Sequence, residues 1–131
     1  MVLDEELPLG VIANTAGILC YTLGKKMPMC VGDDVRDKSG KQHTGIVNVP
    51  VPVLRADAAK LRELRGRLFE EEFKEVLTVD FSDVAQRCIH YEEYIDHAAQ
   101  TAEEDFIYRG IALCGPKKLV NKLTGSLPLL R

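Results

Sequence analysis

The sequence predicts a single α/β domain, residues 1–131, in which helices cover a small mixed β-sheet. Three observations support this prediction. The 131 residues are 46 % hydrophobic and 28 % charged, and a chain of this size and composition can bury one core without disulfides or metals. Segments with the period of strands alternate with segments of helical period, which favours a layered α/β architecture. No repeat or low-complexity tract interrupts the alternation.

The chain begins with a short apolar strand and a helix. Met1–Asp4 opens with three apolar residues, which is typical of the end of a buried strand. Apolar residues then recur at near-helical intervals between Val11 and Leu23, so we expect a helix that ends at Gly24. The next segment, Lys25–Gly45, is rich in glycine and aspartate, which predicts loops and a small hairpin with its turn at Ser39 and Gly40.

A strand with two prolines is predicted at Ile46–Leu54, where valines alternate with asparagine and proline. Pro50 and Pro52 have the same parity, so their missing N–H donors fall on the same side of the strand. That side should lack a sheet partner. We therefore expect an edge strand.

The second half continues the alternation. Asp57 is predicted to cap a helix. The apolar residues expected to face inward from this helix are Leu61, Leu64, Leu68 and Phe69, and its charged residues, including Arg65, are expected to be solvated. The further predicted elements are a strand at 76–81, a mostly helical segment at 83–100, a strand at 106–114 and a last helix at 117–123, closed at Gly125.

Charge and hydropathy exclude some classes of function. With 17 basic and 20 acidic residues the formal net charge is −3, so no overall cationic field would concentrate nucleic acid. A nucleic-acid partner is possible but not favoured. No window approaches the ~18 uninterrupted apolar residues of a membrane helix, and no secretory leader is visible. We expect a cytoplasmic protein without a membrane partner.

Cysteines and histidines give no strong sign of a metal or redox site. The four cysteines lack any Cys-x-x-Cys pair, and we interpret them as free thiols. A zinc site assembled from Cys30, Asp33, Asp34 and His43 is a minor alternative. We expect no metal and no cofactor. His90 and His97 are predicted to be solvated, whereas His43, just before a strand, is a candidate site residue.

Three stretches of the sequence carry a family resemblance: Asp4–Asn14, Val49–Ala56 and, above all, Gly110–Arg131. They resemble the small proteins of the family called domain of unknown function two thousand, DUF2000, which is placed in the type II peptidyl-tRNA hydrolase-like superfamily. The most specific piece is the tail Leu123–Leu130. The resemblance covers essentially the whole chain and implies a three-layer α/β/α sandwich around a four-stranded mixed sheet.

The hydrolase motifs themselves are only partly present. Glu6–Gly10 is similar to the hydrolases' aspartate-leucine-x-methionine-glycine turn, but their following lysine-glycine-lysine has no counterpart. The position of their helix histidine corresponds to Gly17 here, and their glutamine to Asn14. Their aspartate-alanine-glycine-x-threonine motif is missing after the third strand. The resemblance therefore implies the fold without the hydrolase chemistry.

The favoured function is a binding module for a small molecule or a partner protein, on a scaffold that lacks the family's catalytic residues. The polar residues expected to line one cleft are Asn14, Thr15, His43, Asp80, Thr124 and Ser126. Each of them has a competing local role, such as capping a helix or binding nearby backbone.

Two other functions remain open. The chain could hydrolyse peptidyl-tRNA or a related ester, with His43 as base. The start of the last helix, with Lys117 and Lys118, would then bind an anion. The chain could also form a homodimer in which the apolar tail Leu127–Leu130 docks on a second subunit.

Overall fold

A computed structural model describes all residues from Met1 to Arg131. Six strands and five helices alternate along the chain. In order they are β1 (Val2–Asp4), α1 (Leu9–Lys26), β2 (Val35–Arg36), β3 (Gln42–His43), β4 (Leu54–Ala56), α2 (Ala58–Leu68), β5 (Leu77–Ser82), α3 (Asp83–Gln86), α4 (Tyr91–Ala99), β6 (Tyr108–Cys114) and α5 (Lys117–Thr124). No helix is both long and apolar enough to span a membrane.

The main sheet has four strands in the order β4-β1-β6-β5. Strand β1 runs parallel to β4 and antiparallel to β6, and β5 is antiparallel to β6. The prediction of a four-stranded mixed sheet is therefore confirmed. The short first strand lies at its centre, as expected, and Val2 and Leu3 are fully buried.

Helices pack on both faces of this sheet. On one face α2 and α5 pack over a hydrophobic core cluster. This cluster includes Val2, Leu61, Leu64, Phe73, Tyr108, Ile111 and Leu123. On the other face α1 covers Leu3, Leu19, Phe81 and Ala112. Successive strand residues alternate between these clusters because side chains on a strand point to opposite faces. Each face has its own core.

The strand with two prolines is shorter than predicted. Only Leu54–Ala56 forms β4, and the valine-rich stretch before it pairs through a single bridge between Val31 and Val47. The prolines explain the late start, since each removes a backbone donor that a ladder needs. β4 itself lies at the edge of the sheet, but it contains neither of the prolines from which the edge position was predicted.

The C-terminal tail covers the outer edge of β4. Leu129 bridges Leu54, the Arg55 N–H donates to the Pro128 carbonyl, and the Leu130 N–H donates to Val53. In this single chain the tail therefore docks on its own body. The tail satisfies backbone groups of its own chain that an open edge would leave unpaired.

The predictions of helix ends and turns from short-range sequence signals were mostly correct. The Asp57 side chain accepts from the Lys60 N–H at 2.7 Å and caps α2, and the hairpin β2–β3 turns through Gly40 with a φ of +80°. The first helix continues beyond Gly24 to Lys26. Phe69, predicted to face inward, is 61 % exposed because α2 ends one residue before it.

Candidate functional site

The six predicted cleft residues do not meet in one place. Asn14 and Thr15 are on α1, against one face of the sheet, whereas Asp80 binds α2 on the other face. His43 is exposed on the small hairpin. The sheet itself separates the two groups, so the single-cleft interpretation is corrected. Thr124 and Ser126 lie at the end of α5, on the same side as α2.

Two of these six residues have local partners. The Thr124 hydroxyl donates to the Val120 carbonyl at 2.8 Å, one turn earlier in α5. His43 Nε2 is 3.4 Å from a carboxylate oxygen of Asp37 in the same hairpin. Thr15 is fully buried, and its hydroxyl has no hydrogen-bond partner. These contacts serve the fold and form no common binding surface.

The remaining sequence candidates stay apart as well. Lys117 and Lys118 are exposed at the start of α5, and Ser126 lies beyond the opposite end of that helix. All four cysteines are free thiols. No group of three or more histidine, cysteine, aspartate or glutamate side chains is placed to hold a metal ion. The four zinc-ligand candidates therefore do not converge.

Asp80 is the one predicted residue at the centre of a polar site. Its carboxylate accepts from Arg65 Nε at 2.6 Å, and the two side chains are only 16 % and 22 % exposed. Asp80 reaches Arg65 because it shares the strand face of Ile111, which faces α2. An ion pair this sheltered from water is stronger than one at an open surface.

Arg65 is held in a second direction by an aromatic ring. Its guanidinium carbon lies 3.7 Å from the centroid of Phe69, one turn further along the chain. A guanidinium at that distance is attracted by the ring face. The terminal nitrogens Nη1 and Nη2 have no acceptor within the chain, since the bond to Asp80 uses Nε alone. Two donor nitrogens of a fixed fork therefore remain free.

Two tyrosines complete the surroundings of the ion pair. Burial raises the pKa of Tyr108 to about 12, and the carboxylates of Asp80 and Glu103 act in the same direction. Burial, followed by the Asp80 charge, also raises the pKa of Tyr94. Both hydroxyls therefore stay protonated, and Tyr108 donates to Glu103 at 3.2 Å. We call Arg65, Phe69, Asp80, Tyr94 and Tyr108 the Arg65 corner.

Apolar side chains on α4, which carries Tyr94, and on the residues just before it are unusually exposed. Ile89, Tyr91 and Ile95 are 86 %, 71 % and 55 % exposed. The ring of Tyr91 packs edge to face on that of Tyr94, with centroids 5.7 Å apart. Aromatic residues and arginine at a partly apolar surface are the typical composition of a binding site.

Shallow surface depressions lie elsewhere on the molecule, and two of them involve residues of interest. One, of about 410 Å³, lies along α1 and is lined by Asn14, Gly17, Ile18, Tyr21 and Thr22. The other, of about 360 Å³, lies at α3 and α4 and is lined by Val84, Arg87, His97, Gln100 and Thr101. Asn14 is the only predicted cleft residue in either lining.

Sequence reasoning missed Arg65 because it assigned all the charges of α2 to the solvated face. A signal was nevertheless present. Arg65 follows Leu64 directly and lies four residues after Leu61, so it borders the buried stripe of the helix. The aspartate that binds it is 15 residues away in sequence and on another element, and only the folded chain brings the two together.

Comparison with known proteins gives the family. The model of the DUF2000 family, described as proteins of unknown function, matches residues 1–131. The chain belongs to the DUF2000 family. A similar solved structure is that of a protein of unknown function from Agrobacterium tumefaciens strain C58. It is similar with a TM-score of 0.87 and 20 % sequence identity, over 98 % of this chain and 93 % of that one.

At that identity the similarity shows a shared fold and says nothing of function. No protein with a curated description matches the DUF2000 chain significantly. The function must therefore be argued from the site.

Proposed function

We propose that this DUF2000 protein is a binding module whose ligand presents a carboxylate next to an apolar group, bound at the Arg65 corner. The single observation behind the proposal is the state of Arg65. Its guanidinium is half-buried, oriented by Asp80 and Phe69, and keeps two donors without an acceptor. A planar pair of donors matches the two oxygens of a carboxylate.

The surroundings favour a ligand that is also apolar. Phe69 is 61 % exposed beside the guanidinium, and Tyr91 and Ile95 are exposed on the helix that carries Tyr94. A carboxylate bound by Arg65 alone would remain largely in water and gain little. An attached apolar group would cover these side chains and add the free energy of their burial, about 25 cal/mol per Å².

We further propose that the scaffold is the three-layer sandwich of the type II peptidyl-tRNA hydrolase-like superfamily, without its catalysis. The proposal is supported by helices on both faces of the sheet. It is also supported by Asn14 and Gly17, the positions that the resemblance matches to the hydrolases' glutamine and histidine. Both line the same cavity along α1, and no basic side chain is in that lining.

The test of the binding proposal is an NMR titration with two probes that differ only in charge. N-acetylphenylalanine has the carboxylate and the ring, and N-acetylphenylalaninamide has the ring alone. We expect the acid to bind in the millimolar range, as suits a ligand of this size, and to shift the amide signals of residues 65, 69, 80 and 94. The amide should bind at least about tenfold more weakly, since a charged hydrogen bond is lost.

Two variants of one helix sharpen this experiment. Arg65→Lys keeps the positive charge but removes the planar fork and the stacking on Phe69, so the acid should lose its advantage over the amide. Arg67→Lys, two residues away on α2, is the matched control and should bind like the wild type. Equal affinity for acid and amide in the wild-type protein, or an unchanged preference in Arg65→Lys, would contradict the proposal.

Hydrolysis is tested separately by release of N-acyl-amino acid from a model peptidyl-tRNA. We expect no turnover above that of buffer, because the α1 cavity holds no base and the net charge of −3 does not attract an RNA backbone. Turnover that Gly17→Ala or Asn14→Ala abolishes would overturn the non-catalytic part of the proposal.

Self-association is a second candidate, favoured by a different surface. The segment after α1 exposes apolar residues close together in sequence: Met29, Val31, Val35, Ile46, Val47 and Val49 are 44–79 % exposed. Contiguous apolar surface of this kind often marks a protein interface. Light scattering after size exclusion, over a range of concentrations, tests self-association. A dimer that dissociates in Ile46→Lys would support self-association, and a monomer at every concentration would contradict it.

A further inference from the structure

Cys88 and His97 form a thiol–imidazole pair that the proposed binding function does not use. Cys88 follows α3, and His97 lies on α4 nine residues later. The distance from Cys88 Sγ to His97 Nδ1 is 3.4 Å, and Sγ also lies 3.1 Å from the Val84 carbonyl oxygen. No other cysteine of the chain has a histidine within hydrogen-bonding distance of its sulfur.

The contacts of this thiol define how its proton can leave. A thiol has one proton to donate, and both the Val84 carbonyl and His97 Nδ1 are in reach. The carbonyl cannot take the proton, but a neutral imidazole can. The resting thiol is held by Val84, and His97 is placed to act as general base when the sulfur attacks an electrophile.

A cavity of about 360 Å³ lies beside the pair. His97 lines it together with Val84, Arg87, Gln100 and Thr101. Arg87 is the one residue of this lining with a permanent positive charge. Its side chain is 71 % exposed, and one terminal nitrogen binds Asp83 at 3.0 Å. The lining therefore offers a positive charge, an amide and a hydroxyl beside His97, the partner of the thiol. These groups fit a small polar molecule with carboxylates.

We propose that Cys88 is a modification site for small disulfides that carry carboxylates, with His97 as the base. Sγ attacks one sulfur of the disulfide, and the new Cys88 S–S bond forms as the old S–S bond breaks. The Cys88 proton passes to His97 Nδ1 and from there to the departing thiolate, which leaves as a thiol. The products are a mixed disulfide on Cys88 and one free small thiol, so atoms and electrons balance without another oxidant.

The remaining cysteines provide internal comparisons. Cys20 is exposed and has no histidine beside it, and its charged neighbour is the amino group of Met1. Burial raises the pKa of Cys114, and the nearby Cys30 acts in the same direction, so this thiol forms its reactive thiolate less readily. The ionisable groups around the Cys88–His97 pair are Asp83 and Arg87 from α3 and its end, and Glu93 and Tyr94 from α4.

The experiment treats the whole protein with a disulfide and then digests it. Mass spectrometry of the peptides measures the rate of mixed-disulfide formation at each cysteine. The probes are oxidised glutathione, which carries carboxylates, and cystamine, which carries only amines. We expect Cys88 to react with oxidised glutathione at least about tenfold faster than Cys20 near pH 7, the lower end of what a positioned base contributes. With cystamine Cys88 should keep the advantage that the base gives it, but it should react more slowly than with oxidised glutathione.

Three variants, one of them a control, separate the roles of the neighbours. His97→Gln should lower the Cys88 rate at least about tenfold and leave Cys20 unchanged, while His43→Gln, the same change on the distant hairpin, should alter neither. Arg87→Gln should remove the preference of Cys88 for oxidised glutathione over cystamine. A Cys88 that reacts no faster than Cys20, or that reacts equally fast in His97→Gln, would overturn the proposal.

The pH profile distinguishes base catalysis from a merely structural histidine. With His97 as base, the wild-type rate should begin to rise at a lower pH than the rate of His97→Gln, in which the imidazole can no longer take the proton. Identical pH profiles of the two proteins would also overturn the proposal.

Discussion

Thr15 of α1 lies directly against Gly110 of β6. A Cβ at position 110 would be 2.8 Å from Thr15 Cγ2 and 2.7 Å from Leu3 Cδ2. Real side chains do not approach so closely, so the absence of a side chain at 110 lets the helix lie close to the centre of the sheet. Gly110→Ala should therefore destabilise the protein by about 1–3 kcal/mol through overpacking. Urea denaturation followed by circular dichroism measures this free energy of unfolding.

Gly17 is the matched control for that substitution. It lies in the middle of α1, and a Cβ built there has no atom within 4 Å. Gly17→Ala should stabilise the protein by about 0.5–1 kcal/mol, because alanine loses less backbone freedom in a helix than glycine. Equal effects at the two positions would show that the close contact at 110 is absent.

The buried hydroxyls of Thr15 and Thr124 should respond oppositely to replacement by valine. Thr15 is fully buried without a partner for its hydroxyl, so Thr15→Val removes an unsatisfied polar group and should stabilise by about 1 kcal/mol. Thr124 donates to Val120, so Thr124→Val should destabilise by about 1 kcal/mol. Thermal and urea unfolding measures whether each variant is more or less stable than the wild type. A destabilised Thr15→Val would contradict the finding that the Thr15 hydroxyl has no hydrogen-bond partner.

The Arg65–Asp80 ion pair should contribute measurably to stability. A double-mutant cycle with Arg65→Met and Asp80→Asn is expected to give a coupling free energy of about 1–2 kcal/mol, between the values for surface and buried pairs. The control is the exposed Lys60–Glu63 pair on the same helix. A double-mutant cycle on that pair should give a coupling free energy of no more than about 0.5 kcal/mol. A coupling no larger than this at Arg65 and Asp80 would mean that their pairing is not sheltered from solvent.

Tyr108 should make stability depend on pH at the alkaline end. Its pKa is raised to about 12 in the folded chain, whereas an unfolded tyrosine ionises near pH 10. Above pH 10 the unfolded chain therefore loses this proton first, and stability should fall as pH rises towards about 12. Urea unfolding from pH 9 to 12 measures this loss of stability. The free energy of unfolding of Tyr108→Phe should decline less steeply with pH than that of the wild type. An equal decline would assign the loss to other groups.

The same raised pKa has a spectroscopic signature. Of the four tyrosines, Tyr108 should form tyrosinate last in an ultraviolet absorbance titration of the folded protein. The late step should disappear in Tyr108→Phe.

Sequence alone determined the order of most elements and some of their ends. The cap at Asp57, the hairpin turn at Gly40 and the central apolar strand follow from short-range rules, because capping, turn geometry and hydrophobic period involve residues within a few positions of one another. The DUF2000 membership was also recognisable, since the tail Leu123–Leu130 is a contiguous motif.

The tertiary structure alone decided which polar residues meet. Asp80 and Thr15 were predicted to share a cleft, yet the sheet lies between them, and Asp80 instead binds an arginine that the sequence pattern assigned to solvent. The Cys88–His97 contact was likewise not predicted. Such pairs depend on which face each strand residue takes and on how one helix is placed against another. Those choices are set by the burial of the whole core and not by any local pattern.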